Sequence, residues 1–303
     1  MLAFSRRAVL VALLVMATPT FAQTTITDSR GTQTFAEIPQ RVIALSWAVV
    51  EQLVELDVPL LAVADPDGYG LWVVQPALEP GVENVGRRDE PNVERIAELK
   101  PDLIVISDDQ AELAPVLERI APVIHFTLFS LDHDNAEATR TSYLELARLF
   151  DREDLARERL AGLDAHLGAL RGKVERHFGG DLPKVTAISL MDQARVRVHG
   201  GNSTSEAALL ALGLDPAFPQ PATTWGFVQK RVEQLGPVEE GIILNIEPFR
   251  AADQLFPSPL WQAMPFVREH RFAGVRPSWT FGGAFSIGYL AEAFTEALLT
   301  IDP

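Results

Sequence analysis

The chain has 303 residues, no cysteine and a formal charge of −15. An acidic balance of that size argues against nucleic acid or an anionic membrane surface as a partner. The missing thiols exclude disulfides, thiolate metal sites, a cysteine nucleophile and an acylated cysteine anchor, and the length suits two domains.

Ser5-Arg6-Arg7-Ala8-Val9-Leu10 opens an export signal at residues 1–22. An apolar run follows from Ala8 to Ala17, and Thr20-Phe21-Ala22 offers a small-residue cleavage site before Gln23. The run is shorter than the roughly 20 apolar residues a bilayer span needs. The arginine pair fits a twin-arginine signal, although an ordinary secretory signal also carries two arginines in some chains. Cleavage removes only Arg6 and Arg7 among charged residues and takes the charge from −15 to −17. The expected product is a free, monomeric, periplasmic protein.

From Arg41 onward, short apolar runs alternate with helical ones. Val42 to Leu45, Leu60 to Ala64, Leu103 to Ile106 and Val123 to Phe126 read as strands, with helices at Val49 to Leu56 and Ala114 to Ile120. Such alternation implies parallel strands with helical crossovers. Between about Asp134 and Phe178 the chain is helical, and Leu160, Leu163, Leu167, Leu170, Val174 and Phe178 recur at the helical period. Asp151-Arg152-Glu153-Asp154 supplies a cap and an acidic first turn, and Gly179-Gly180 a stop. A helix of about 25 residues spans roughly 38 Å, as a strut between lobes or a helix packed on one of them. The strand–helix pattern resumes at Val185 to Leu190, Ser203 to Leu212 and Gly241 to Ile246.

The two halves echo each other. Val93-Glu94 opens a short helix that turns at Lys100-Pro101 into the strand Leu103 to Val105, and Val232-Glu233 turns at Gly236-Pro237 before Ile242 to Leu244. Glu206 to Leu214 likewise echoes Glu51 to Val58. A supersecondary unit repeated far along one chain suggests two lobes built alike, with a cleft between them and a glutamate at the same place in each. Taken alone, a glutamate at the second helical position also simply suits the helix dipole.

Four stretches carry a resemblance to a known family: Ala44-Leu45-Ser46-Trp47, Tyr69-Gly70-Leu71-Trp72-Val73, Val85-Gly86-Arg87-Arg88-Asp89-Glu90-Pro91-Asn92 and Pro259-Leu260-Trp261-Gln262-Ala263-Met264-Pro265-Phe266-Val267-Arg268. On these the chain resembles the substrate-binding proteins of iron-siderophore ABC importers, specifically the ferric-hydroxamate-binding kind, from about Pro39 to Gly288. The resemblance implies an α/β fold of two similar lobes joined by a single long helix: an N-terminal lobe at 23–150, a connecting helix at 151–180 and a C-terminal lobe at 181–303. The ligand would lie in a shallow cleft between lobes that bend little. Glu94 and Glu233 match the acidic residues that meet arginines of the permease subunits.

The resemblance also implies a ligand site. Trp72 matches a ligand-contact tryptophan, Arg88 the arginine that donates to hydroxamate oxygens, and Trp225 and Trp279 two aromatic walls of the second lobe. Gln110 stands where the family has a tyrosine donor, and Phe281 where it has a second tyrosine. Two phenolic hydroxyls are therefore missing. Gly200-Gly201-Asn202-Ser203 is expected to cap a helix facing the cleft with its amides. Trp47 and Trp261 read as core, and Arg87 as a solvated neighbour of Arg88. Asp108 and Asp109 disfavour a highly anionic load unless they point away.

Iron in such a complex is already fully coordinated, so no protein metal ligand or cofactor is expected. The six histidines, His125, His133, His166, His177, His199 and His270, show no convincing metal-ligand spacing. Neither a nucleophile elbow, a phosphate loop nor a catalytic carboxylate pair is present, so an enzyme is not expected. The reading is a receptor that captures a ferric siderophore and delivers it to an inner-membrane ABC permease. Cobalamin, haem or ferric citrate on the same fold, and an exported α/β enzyme using the cleft, are the alternatives.

Overall fold

The computed structural model describes residues 23–303, and the export signal read at 1–22 lies outside them. A hairpin of β1 (Thr24–Asp28) and β2 (Gly31–Phe35) precedes the first lobe. That lobe runs β3 (Val42–Ala44), α1 (Trp47–Val54), β4 (Leu60–Val63), α2 (Pro66–Trp72), β5 (Glu83–Asn84), α3 (Val93–Leu99), β6 (Leu103–Ser107), α4 (Ala114–Leu117) and β7 (Val123–Phe126). Its sheet is parallel throughout, in the order β5-β4-β3-β6-β7. The strands β3 and β6 are buried at every residue, as expected of parallel strands covered on both faces, and this explains their unbroken apolar runs.

Two helices follow, α5 (Asn135–Leu149) and α6 (Glu153–His177), and then the second lobe. It contains β8 (Val185–Leu190), β9 (Arg195–His199), α7 (Thr204–Ala211), β10 (Phe227–Arg231), β11 (Ile242–Ile246), α8 (Ala252–Leu255), α9 (Pro259–Gln262), α10 (Pro265–Arg268), β12 (Phe272–Val275) and α11 (Ser286–Leu298). Its sheet has the order β10-β9-β8-β11-β12. Position by position this matches the first, so β6 and β11 both occupy the fourth place. The repeated segment therefore marks a real duplication of architecture.

The match is not complete. The sheet's β9 runs antiparallel to both β8 and β10, so two of its pairings differ in direction from those of the first lobe. Residues 232–235 form only a 3-10 turn, not a helix like α3. Pro237 has no N–H to extend it. The similarity of Glu206–Leu214 to Glu51–Val58 does not reflect equivalent places either, because α1 joins β3 to β4 whereas α7 joins β9 to β10.

Helix α6 is the strut. Its Ala156, Leu160, Leu163, Leu167, Leu170 and Val174 are buried against α5 on one side and α7 and α11 on the other. The expected cap is absent: Asp151 sits at φ 55° and Arg152, the N-cap residue, makes no side-chain cap bond. The stop is as expected. Gly179 and Gly180 adopt φ 65° and 88°, and the Gly180 amide reaches back to the Glu175 carbonyl at 3.0 Å, a helix end that glycine makes without steric cost.

A second tie between the lobes is polar. Glu51 on α1 is fully buried against the loop that opens α11. Its carboxylate accepts from the amides of Gly283 (3.1 Å), Phe285 (2.9 Å) and Ser286 (3.0 Å), and from the Ser286 hydroxyl. Burial outweighs these donors and pushes Glu51 up to about 7. One turn on, Glu55 accepts from the Tyr289 hydroxyl and pairs with Arg159 of α6 at 3.4 Å. Gly283 is required here, since a Cβ would lie 2.7 Å from the Ala48 carbonyl.

Candidate functional site

A cleft of about 300 Å³ opens between the lobes, lined by residues of both. On the first-lobe side it lies beyond the carboxyl ends of β3 and β6, where parallel sheets place ligands. Ser46 and Ser107 stand there, hydroxyl to hydroxyl at 2.6 Å. The second lobe contributes Arg197 from β9, Trp225 and Phe227 around the start of β10, and Trp279 and Phe281 from the loop before α11. A neighbouring chamber, also of about 300 Å³, shares Arg197, Trp279 and Phe281 and adds Trp72, Met191, Glu247 and Arg250.

The walls are aromatic. Trp279 contacts Trp47 edge-on at 4.9 Å and Phe281 at 5.5 Å. Phe281 in turn meets Trp225, Phe227 and Phe129 at 5.9, 5.9 and 6.0 Å. Trp225 stacks on Phe129 at 5.5 Å and is 37% exposed. The turn behind it needs Gly226, at φ 69°, because a Cβ would fall 2.4 Å from Ser203 Cα.

Arg88 projects into this box. Its guanidinium carbon lies 4.0 Å from the Trp47 ring centre and 5.2 Å from that of Trp279, and Asp109 is 3.6 Å away. Burial lowers the guanidinium from its usual value, opposed by Asp109, Asp65 and Asp89, and arginine stays charged under such conditions. Two rings and a carboxylate thus fix a planar donor fork with its N–H groups available to ligand oxygen.

The candidate residues separate on these coordinates. Arg88, Trp225, Trp279 and Phe281 come together in the cleft, and Trp72 lines the adjoining chamber. Gln110 does not line either. It is 1% exposed, donates to the Arg88 carbonyl at 3.2 Å and accepts from the Ser107 amide at 3.4 Å, so its amide supports the loop that carries Arg88. Trp47, read from the sequence as core, is 3% exposed yet presents a ring face to the cleft while its Nε1 donates to the Ala64 carbonyl at 3.1 Å. Trp261 does lie in the second lobe's core.

The start of α7 does not face the cleft. Ser203 caps it, accepting from the Glu206 amide at 2.9 Å. Asn202 is engaged with the segment before α5, donating to the Ser130 and His133 carbonyls and accepting from the Asn135 amide at 2.8 Å. Asp108 turns away and accepts from the Leu128 amide at 2.9 Å, whereas Asp109 is the partner of Arg88. The sequence reading missed Arg197, Phe129 and Phe227. Arg195-Val196-Arg197-Val198 alternates, which would have marked a strand with one polar face.

Glu94 and Glu233 are both exposed, on the segments leading into β6 and β11. Glu233 pairs with Arg231 at 2.8 Å, and Glu94 has no ion pair among the described residues. Those residues also contain no cluster of three or more His, Asp or Glu side chains placed to hold a metal, and no helix long and apolar enough to cross a membrane.

Residues 42–278 match the model of the periplasmic binding protein family. The iron(3+)-hydroxamate-binding protein FhuD of Escherichia coli is 31% identical over 262 residues, covering 86% of this chain and 87% of that one. The Fe(3+) dicitrate-binding periplasmic protein FecB of the same species is 28% identical over 284 residues, with 91% and 89% covered. The crystal structure of FhuD from Vibrio cholerae with Fe3+–Desferal bound superposes with a TM-score of 0.86 at 39% identity, covering 87% of this chain and 99% of that one. The fold class read from the sequence, two α/β lobes on one long helix, is the one found, and the chain belongs to the periplasmic binding protein family, a family of binding proteins and not of enzymes.

Proposed function

We propose that this protein is the exported receptor of an iron importer, capturing a ferric hydroxamate siderophore between its lobes and handing it to an inner-membrane ABC permease. The observation that carries this reading is Arg88, held between the Trp47 and Trp279 rings. A ferric trihydroxamate presents oxygens around a metal that needs no further ligand, with apolar linkers outside. A donor fork in an aromatic box is complementary to that surface. Support for the cargo class comes from the two FhuD relatives, one bound to Fe3+–Desferal. Ferric citrate is the second reading, favoured by the FecB relative and by the arginines of the cleft and its side chamber. The aromatic walls suit it less well, since citrate has no apolar linkers to cover. Export through cleavage of residues 1–22 and action as a monomer are part of the proposal.

Docking would use Glu94 and Glu233, which stand at equivalent places before β6 and β11. Paired alanine substitution, Glu94→Ala with Glu233→Ala, is expected to leave ferric-hydroxamate affinity within about twofold while cutting cellular uptake of the radioiron-labelled complex at least about tenfold, as loss of rim charges slows partner encounter. Full uptake by the double variant would remove the docking role and leave the binding role standing.

A further inference from the structure

Among the described residues, Arg197 has no counter-charge. It sits in the middle of β9, opposite Ser189 on one side and Gln229 on the other, with its guanidinium carbon 4.7 Å from the Phe227 ring centre. No carboxylate lies within 4 Å of it among the described residues, although every other charge in the main cleft is paired: Arg88 with Asp109. Its side chain makes no hydrogen bond among those residues, and its Nε is buried without a partner. Burial lowers the guanidinium with no neighbouring carboxylate opposing it. His199, two residues on along the strand, adds no charge of its own, because burial and then Arg197 hold it down at about 3.

A buried donor without an acceptor in a native fold needs an explanation, and an uncompensated guanidinium is costly in a half-buried place unless something negative arrives to meet it. The location indicates what that is. Arg197 lies at the junction of the cleft and the side chamber and lines both. A chelate seated on Arg88 in the main cleft would direct a substituent past Arg197 into the chamber. Glu247 lines that chamber but forms no ion pair with Arg197 or with Arg250.

We propose that Arg197 is a second cationic anchor that selects, among ferric hydroxamates, those carrying a negative charge on a pendant arm, such as a free carboxylate. This inference rests on the siderophore-receptor reading and refines its substrate class. The planar fork of arginine matches a carboxylate bidentately, and the aromatic platform of Phe227 holds it in place without neutralising it.

The test uses three ferric complexes of one chelator: Desferal, whose pendant arm ends in an ammonium, and its N-acetyl and N-succinyl derivatives, which end in a neutral amide and a carboxylate. Affinities of the mature protein are measured by calorimetry at two salt concentrations. The succinyl complex is expected to bind about tenfold more tightly than the ammonium complex at low salt, with the acetyl complex between them, and the ratio should shrink as salt rises. Arg197→Gln should collapse the ratio to within about twofold, and Arg197→Lys should restore most of it, an outcome that a merely structural role would not produce. Equal affinities in the wild type, or the same ratio in Arg197→Gln, would overturn the role of Arg197 while keeping the hydroxamate receptor. Absence of binding by all three complexes would overturn the hydroxamate reading itself, and this inference with it.

Discussion

Replacing Arg88 by alanine is expected to weaken binding of ferric Desferal by about a hundredfold. Loss of a charge-assisted hydrogen bond to a chelate oxygen accounts for about 1.5–3 kcal/mol, which is roughly a tenfold to 150-fold change in affinity. Two consequences add to it. Asp109, which pairs with Arg88 at 3.6 Å in the wild type, would lose that cation and face the oxygens of the chelate alone. The Trp47 and Trp279 faces lose the group that fills the space between them. The fold should not suffer, because Gln110 binds the backbone carbonyl of residue 88 and not its side chain. Arg87 is the matched control: its side chain is 74% exposed and paired with Asp89 at 2.6 Å, so Arg87→Ala should bind as the wild type does. Calorimetric titration of the three proteins decides the matter, and equal affinity of wild type and Arg88→Ala would take Arg88 out of the site.

The largest effect on stability is expected at Glu51. Glu51→Ala strands the buried amides of Gly283 and Phe285 and opens a void between α1 and the start of α11. An unsatisfied buried donor costs about 1–3 kcal/mol, so a loss of about 4 kcal/mol of unfolding free energy is expected. The group also sets a pH dependence. Its folded value of about 7 lies above the 4.5 of an ordinary glutamate, so the folded protein keeps a proton that the unfolded chain has released. The stabilisation from this proton is fully present below about pH 4.5 and is lost as pH rises through 7. At 1.36 kcal/mol per pKa unit its size is on the order of 3 kcal/mol. Denaturant unfolding of wild type and Glu51→Gln at pH 5 and pH 8 isolates it: the difference in stability between the two should move against the wild type by that order on going to pH 8. A difference independent of pH would mean that Glu51 is ionised at both.

This tie bears on function as well as stability. Two lobes joined by a 25-residue helix and by a buried carboxylate spanning α1 and the α11 loop have little freedom to hinge. The cleft is then largely preformed, and binding need not order much of the protein, which favours affinity.

Legibility in the sequence followed the physics of each element. The strands β3 and β6 were readable because burial on both faces demands unbroken apolar runs, and α6 because a helix with one buried stripe must repeat leucine at three and four residues. The strands β9 and β10 were missed since Arg195, Arg197, Gln229, Lys230 and Arg231 make them look solvated. That same masking hid Arg197 as a cleft residue. Trp47 reads as core in the sequence, yet burial and a place in the cleft wall are not exclusive: a ring can be 3% exposed and still present that small remainder to a cavity. Gln110 failed in the opposite sense. A polar residue on a loop beside a cleft arginine is as useful for holding the loop as for lining the cleft, and only the hydrogen bonds distinguish the two.

The central claim is the cargo, and tryptophan-fluorescence titration of the mature protein tests it most directly, because Trp47, Trp225 and Trp279 all line the cleft. Ferric hydroxamates, ferric citrate, haem and cobalamin are titrated in parallel. Saturable quenching by ferric hydroxamates at the lowest concentrations is the predicted result. Saturation by haem, cobalamin or ferric citrate with no response to any hydroxamate would contradict it.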